Sequence, residues 1–306
     1  MAARRFAWVL NLDADLELAA RGASYTPKRS VREAMRPWAA LLATSLLGEG
    51  DVVVDESTEP LSLRGVAGRA FCPTPRAIAA LVRAGAEPEP HPEVDVLRLV
   101  NSRAFASSLG PTLPGAAFVT ELKAARAMLS APPPVGEGWR VKRNFGMTGR
   151  GQRVVTSVTD GDVAFVCAGL EEGGVQIEPN VVVLDEYALH GLLAESDRFE
   201  LGAPVRQRCD ARGAWVSTEP LARTTAAEHD VIARLSSEAS LVASALTRAR
   251  YFGPFGIDAY TYRGKDGGAE LQVRSEINAR YSMGFAAGFR LQGPHEVAVD
   301  RAKGGA

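Results

Sequence analysis

Arg274-Ser275-Glu276-Ile277-Asn278-Ala279-Arg280-Tyr281-Ser282-Met283-Gly284 is the stretch on which the reading of this chain turns. Alternation along a strand puts Glu276 and Asn278 on one face. Asp258 closes Gly253-Pro254-Phe255-Gly256-Ile257-Asp258 and falls on a neighbouring strand of the reading, Phe255 to Tyr262. That strand joins Ala269 to Glu276 around Gly264 to Gly268. Two carboxylates and an amide carbonyl are hard oxygen donors. They suit Mg²⁺, or Mn²⁺ in its place, when the ion also keeps phosphate oxygens and waters. A solvated strand face is the competing reading. The apolar and glycine-rich flanks of Ile257 and Ile277 argue for partial burial, and a buried acid needs a partner or a metal.

Upstream, Trp139 to Arg143 reads as a strand, followed by Phe145 to Gly151 and then Val154-Val155. This is a β-hairpin with Gly146, Gly149 and Gly151 in its turn. Glycine lets a backbone bend sharply and approach a phosphate closely, and successive amide N–H groups can cradle its oxygens. Lys142 adds a cation just before the turn. The hairpin is not a Walker loop, which needs Gly-Lys-Ser or Gly-Lys-Thr entering a helix. An ordinary hairpin is the alternative. Between hairpin and metal segment, strands Gly174 to Pro179 and Val181 to Tyr187 are split at Pro179-Asn180, a place for a hinge. Glu178, Asp185 and Glu186 near such a hinge can accept hydrogen bonds from an adenine amino group or a ribose hydroxyl. Taken singly, each also fits a surface acid.

These groups, in this order, resemble the ATP-grasp superfamily over about residues 100 to 290. The pieces are Val141-Lys142-Arg143, the turn Gly146 to Gly151, the hinge Val175 to Pro179, the acid Glu186, Gly253 to Asp258, and Glu276 to Gly284. The resemblance implies a two-lobed ATP-grasp fold preceded by a smaller α/β domain. The divisions expected are 1–100 for that domain, 101–180 for the small lobe with the glycine turn, and 181–306 for the large lobe with the metal site. It implies that Lys142 and Arg103 contact ATP, although the position of Arg103 more often holds lysine. Glu178 with Pro179 and Asn180 would meet the adenine, and Glu186 the ribose. Asp258, Glu276 and Asn278 would hold Mg²⁺, with Arg280 facing the γ-phosphate or an acyl-phosphate.

The N-terminal hundred residues carry no diagnostic motif. Their rhythm is α/β: a strand Phe6 to Leu12, a helix Val31 to Leu47 interrupted by Pro37, a strand Asp51 to Asp55 and a helix Pro75 to Ala84. Glu87 to Pro92 reads as a loop because of its three prolines. Val100 to Leu109, Glu121 to Leu129 and Ala226 to Ala249 read as helices, and Ala131 to Gly138 as a connector. Val205 to Cys209 and Ala214 to Ser217 form a hairpin around Asp210 to Gly213.

With 46% hydrophobic and 23% charged residues, the 306-residue chain has the mix of a soluble globular protein. A net charge of −1 gives no bulk pull toward nucleic acid or anionic membrane. Cys72, Cys167 and Cys209 form no Cys-x-x-Cys pair, so the default setting is reduced and cytoplasmic. The apolar run Phe6 to Leu10 is too short for a signal core.

The resemblance implies, as the expected activity, a carboxylate–amine ligase. A substrate carboxylate takes the γ-phosphoryl group, and an amine then displaces phosphate. Arg206, Arg223 and Arg274 are candidates for gripping the carboxylate, because guanidinium matches it bidentately. No covalent nucleophile is required, so Cys209 and Ser282 need no catalytic role. The expected partners are small-molecule carboxylate and amine substrates, with a homodimer left open, and neither nucleic acid nor membrane. Two alternatives stand: a kinase acting on a hydroxyl, and a nucleotide-binding protein without turnover. The complete set Lys142, Asp258, Glu276 and Asn278 argues against the second.

Overall fold

Residues 5–20, 25–147, 150–210, 215–222 and 225–289 are described by the computed structural model. Three sheets form among them. The first is parallel, in the order β2 (Val52–Val53), β1 (Phe6–Val9), β3 (Ala67–Ala70), β4 (Glu87–Pro88). Helices α1 (Ala14–Ala19), α2 (Arg29–Leu46) and α3 (Pro75–Ala84) accompany it. Pro75 opens α3 where its missing N–H costs nothing, and Gly85 at φ +85 closes it in the left-handed region. Helix α2 continues past Pro37.

Helices α4 (Val94–Val100) and α5 (Arg103–Ser108) follow. They replace the single helix expected over Val100 to Leu109. Ser102 stops it, because its hydroxyl accepts the N–H of Phe105 at 3.1 Å and caps a new helix. Similarly, Glu87–Pro88 is a short parallel strand rather than loop, since Glu87 and Glu89 donate their N–H groups to the carbonyls of Val66 and Gly68 along β3. Pro88 sits at the sheet edge, where a missing donor is tolerated.

The second sheet is antiparallel, in the order β5 (Ala117–Val119), β8 (Val175–Pro179), β6 (Trp139–Met147), β7 (Arg150–Val155). One face carries Val141, Val175 and Ile177 against α6 (Leu122–Ser130) and α7 (Asp160–Glu171). Helix α7 went unread in the sequence. Its signal was the capping box Thr159-x-x-Asp162, in which Thr159 N–H donates to Asp162 Oδ2 at 2.9 Å. The other face carries Arg140, Lys142, Gln176 and Glu178, by alternation.

The third sheet runs β12 (Trp215–Pro220), β11 (Val205–Cys209), β9 (Val183–Leu193), β13 (Gly253–Arg263), β14 (Ala269–Asn278), with β10 (Phe199–Leu201) also on β9. Helix α8 (Ala226–Arg248) buries Leu235, Val242 and Leu246 on one face, against Leu189, Ile257 and Ile277. A final short helix, α9 (Phe285–Gly288), packs beside β9 and β12. The main core extends across into the N-terminal elements through Trp8, Leu18, Leu42 and Phe71. No helix among the described residues is long and apolar enough to cross a membrane.

The connector Ala131 to Gly138 locks onto the hinge. Asn180 N–H donates to the Gly138 carbonyl at 3.0 Å, and the Asn180 carbonyl accepts from Glu137 at 3.1 Å. A Cβ on Gly136, at φ +70, would stand 2.3 Å from that same carbonyl oxygen. Gly136→Ala is therefore expected to lower stability by roughly 2 kcal/mol or more, whereas Gly110→Ala, at φ +100 with open space around it, should lower it by less. Urea titration of both variants checks this, and equal losses would contradict it.

Candidate active site

The C-terminal ends of β3 and β1, helix α2, the glycine hairpin and the exit of β14 meet around one cavity of ≈ 180 Å³. Asp258 and Glu276 lie directly opposite each other on β13 and β14. Asn278 follows on the same side, and its amide donates to Asp258 Oδ2 at 2.8 Å. Gln207 Nε2 approaches Asp258 Oδ1 at 3.3 Å. All four side chains line the cavity, together with Gly146 and Arg280.

Burial first, then the negative charge of Glu276, pushes the Asp258 carboxyl up to about 6; the hydrogen bond from Asn278 and the Arg280 charge oppose them. An acid raised in this way destabilises the folded protein when ionised. Between its ordinary value and about 6 the folded state holds a proton that the unfolded state has lost, so stability falls as pH rises through that window.

Each cation of the site has a partner. Arg103, at the start of α5, donates to Glu276 Oε1 at 2.9 Å. Arg280 donates through Nη2 to Asp15 Oδ2 at 2.8 Å; the Asp15 side chain is buried and that of Arg280 largely so. Burial opposes the Arg280 charge, but the Asp15 carboxylate outweighs it and raises the guanidinium further. On the second sheet, Lys142 Nζ meets Glu178 Oε1 at 2.6 Å, while Gln176 donates to Glu178 Oε2 at 2.9 Å. The Glu178 side chain is 2% exposed, so its charge depends on those two donors. Tyr260 of β13 lies close enough that burial, with Glu178 next, raises its phenol.

The donor set fits a divalent cation that shares its shell with phosphate. Asn278 donates from its amide nitrogen to Asp258, which leaves its carbonyl oxygen as a donor to metal. Among the described residues no group of three or more His, Cys, Asp or Glu forms a metal cage by itself. Two carboxylates and an amide suit Mg²⁺, which keeps water and phosphate oxygens, better than Zn²⁺.

The overall course of the chain matches solved structures. Biotin carboxylase from Campylobacter jejuni, in its β-γ-ATP complex, superposes with TM-score 0.53 at 14% identity, covering 94% of this chain and 67% of that one. The biotin carboxylase domain dimer of Hydrogenobacter thermophilus 2-oxoglutarate carboxylase, with MgADP, ADP and bicarbonate, gives 0.52 at 12% identity, over 93% and 66%. N5-carboxyaminoimidazole ribonucleotide synthetase from Thermus thermophilus gives 0.50 at 16% identity, over 90% and 71%. The chain has an ATP-grasp fold. No family model and no curated protein matches the sequence. At these identities the likeness is one of fold, and the site rests on the residues themselves.

Within the ATP-grasp fold, Asp258, Glu276, Asn278, Arg280, Arg103 and Gly146 come together. Lys142 and Glu178 form a separate pair on the second sheet, with Pro179 ending β8 beside them. Glu186 lies opposite Gln207 in the large sheet and accepts the Cys209 N–H at 3.0 Å. Gly151, at φ +79, follows the hairpin turn. Gly149 and Arg223 lie outside the described residues.

Three expectations need correction. Arg206 alternates with Gln207, so it faces away from the cavity, over Tyr187 and toward Asp185 and Glu228. Arg274 sits where three residues of β14 oppose one of β13. That bulge turns it to Glu238 of α8 and the Gly110 carbonyl, and its side chain is 3% exposed. It is a buried structural arginine. Asn180 spends its backbone on the connector, and its side-chain oxygen accepts from Arg140 at 2.8 Å.

Sequence reading also missed Asp15 and Gln207. Gln207 could have been found from strand parity, since it shares a face with Cys209 while Arg206 does not.

Two outcomes follow from these charges. Lys142→Ala strands the Glu178 carboxylate and should cost roughly 3–5 kcal/mol, while Lys142→Ala/Glu178→Gln should recover most of that loss. A double variant no more stable than the single would contradict the pairing. Asp258→Asn should raise stability by about 1–2 kcal/mol near pH 8 and change it little near pH 4. Chemical denaturation at the two pH values reads the difference directly.

Proposed function

We propose that the chain is an ATP-dependent carboxylate–amine ligase that works through an acyl-phosphate, with Mg²⁺-ATP as the phosphoryl donor. The observation that carries the reading is the meeting of Asp258, Glu276, Asn278 and Arg280 in one cavity beside Gly146, with Arg103 paired to Glu276. That two of the similarly folded enzymes were solved with ADP or an ATP compound supports a nucleotide. In this reading residues 1–100 shape the substrate side, 101–180 cover the nucleotide, and 181–306 hold the metal.

Each side chain then has a task. Glu178, held by Lys142 and Gln176, faces the adenine, and Lys142 turns toward the phosphates as it is released. Glu186 accepts from the ribose with the oxygen not used by Cys209. The amides of the Gly146 to Gly151 hairpin cradle phosphate oxygens. Mg²⁺ would supply charge neutralisation across the phosphates, held by Asp258, Glu276 and Asn278.

A carboxylate oxygen of the substrate attacks the γ-phosphorus in line, and the bond to the ADP oxygen breaks. Arg280 and Arg103 offset the charge that spreads over the phosphoryl oxygens. An amine nitrogen then attacks the acyl carbon. Phosphate leaves with the electron pair of the broken C–O bond, and the nitrogen loses a proton.

Hydroxylamine stands in for an unidentified amine, because it captures an acyl-phosphate as a hydroxamate. Wild type incubated with Mg²⁺-ATP, hydroxylamine and a panel of carboxylates should release ADP and hydroxamate in equal amounts. Glu276→Gln should lower the rate by about a hundredfold or more. ADP release with a hydroxyl substrate and no hydroxamate would replace this reading with a kinase.

A further inference from the structure

The cavity beside the metal residues is not polar throughout. Its lining also includes Leu12, Met35, Trp38, Phe71, Trp215 and Met283. Trp38 comes from α2 and Trp215 from β12, and their rings meet edge to face, with centroids 6.1 Å apart at 73°. Both indoles are half-buried, and neither belongs to any of the hydrophobic cores of the described residues. Two large aromatic side chains held at a cavity, yet spared from the core, are what a ligand with an apolar body needs. Trp215 is fixed in place, because its indole N–H donates to Thr218 Oγ1 at 2.6 Å.

The adenine has no claim on this wall. Lys142 and Glu178, the residues of the proposed base site, lie on the second sheet and do not line the cavity. What lines it together with the indoles is the reactive end, Arg280 with Asp258 and Glu276. Arg280 gives Nε and Nη2 to Asp15 and Nη1 to the Tyr281 carbonyl at 3.2 Å. A guanidinium has five N–H groups, so donors remain for a carboxylate. The space is also of the right order, since a cavity of about 150 Å³ accepts a benzene ring.

We propose that the carboxylate substrate carries a flat apolar body, the size of one ring, which lies on the Trp38–Trp215 wall while its carboxylate faces Arg280. This rests on the ligase reading only for the word substrate. The wall itself is a binding prediction that stands or falls without turnover. Short or highly charged carboxylates would leave the indoles wet and are the poor ligands. An indole wall therefore sets specificity by contact area and stacking, at a distance from the atoms that react.

Tryptophan fluorescence, excited at about 295 nm where only indole absorbs, tests it on the full chain in the presence of Mg²⁺-ADP, with 3-phenylpropanoate and 4-phenylbutanoate as ring-bearing probes and acetate and succinate as controls. The expected result is saturable quenching by the ring-bearing acids, at least tenfold tighter than by the controls. Trp38→Leu should weaken it tenfold or more, and Trp38→Phe should restore most of the affinity; Trp215→Leu, checked for an unchanged melting profile, should behave as Trp38→Leu does. Equal affinity for all four acids, or full affinity in both leucine variants, overturns the proposal. Tight, wall-dependent binding without hydroxamate from any bound acid would support the wall and count against the ligase reading instead.

Discussion

A guanidinium taken out of water needs a carboxylate beside it, and Arg280 finds Asp15. The two residues come from opposite ends of the chain, so their pairing joins the N-terminal parallel sheet to the exit of β14. The Tyr281 N–H donates to the Phe71 carbonyl at 3.1 Å, and Tyr281 packs edge to face on Trp8. The same contact therefore closes the main core and aims an arginine into the cavity. If Asp15 were neutral, the buried charge of Arg280 would lose its principal offset, and the strand carrying Glu276 and Asn278 would lose its anchor.

The rest of the site follows one electrostatic rule. Two of the site's ion pairs hold a partner that a ligand could take over. Glu178 holds Lys142 where an adenine amino group and a phosphate could divide the pair. Glu276 holds Arg103, and a cation with its phosphate could separate them in the same way. Among the described residues Asp258 is met by two amides rather than a cation, which is why burial and Glu276 raise it. A divalent cation would reverse that penalty, so Asp258 gains stability from binding. This is the usual relation between strain at a site and its use.

Much of this was legible in the sequence because strand alternation is a strict rule. Glu276 and Asn278 share a face for that reason alone, and the glycine hairpin is marked by its own composition. What failed were features that alternation cannot report. A bulge in β14 turned Arg274 out toward α8, although it has the parity of Glu276. Arg206 has the charge for the task but the wrong parity, and Gln207 beside it faces the cavity. The strand Ala67–Ala70, made of Ala-Gly-Arg-Ala, has no β-forming composition and is held by its neighbours β1 and β4. Asp15 and the Trp38–Trp215 wall join residues distant along the chain, and a single sequence carries no signal for such contacts.

The most direct test of the central claim is a calorimetric titration of ATP into the protein, with Mg²⁺ and again with the metal chelated, for wild type and Glu276→Gln. The account predicts saturable binding that Mg²⁺ tightens at least tenfold in the wild type, with the metal effect lost in the variant. Binding of equal strength with and without Mg²⁺, or a metal effect that survives Glu276→Gln, would contradict the assignment of Asp258, Glu276 and Asn278 as the residues that hold the cation.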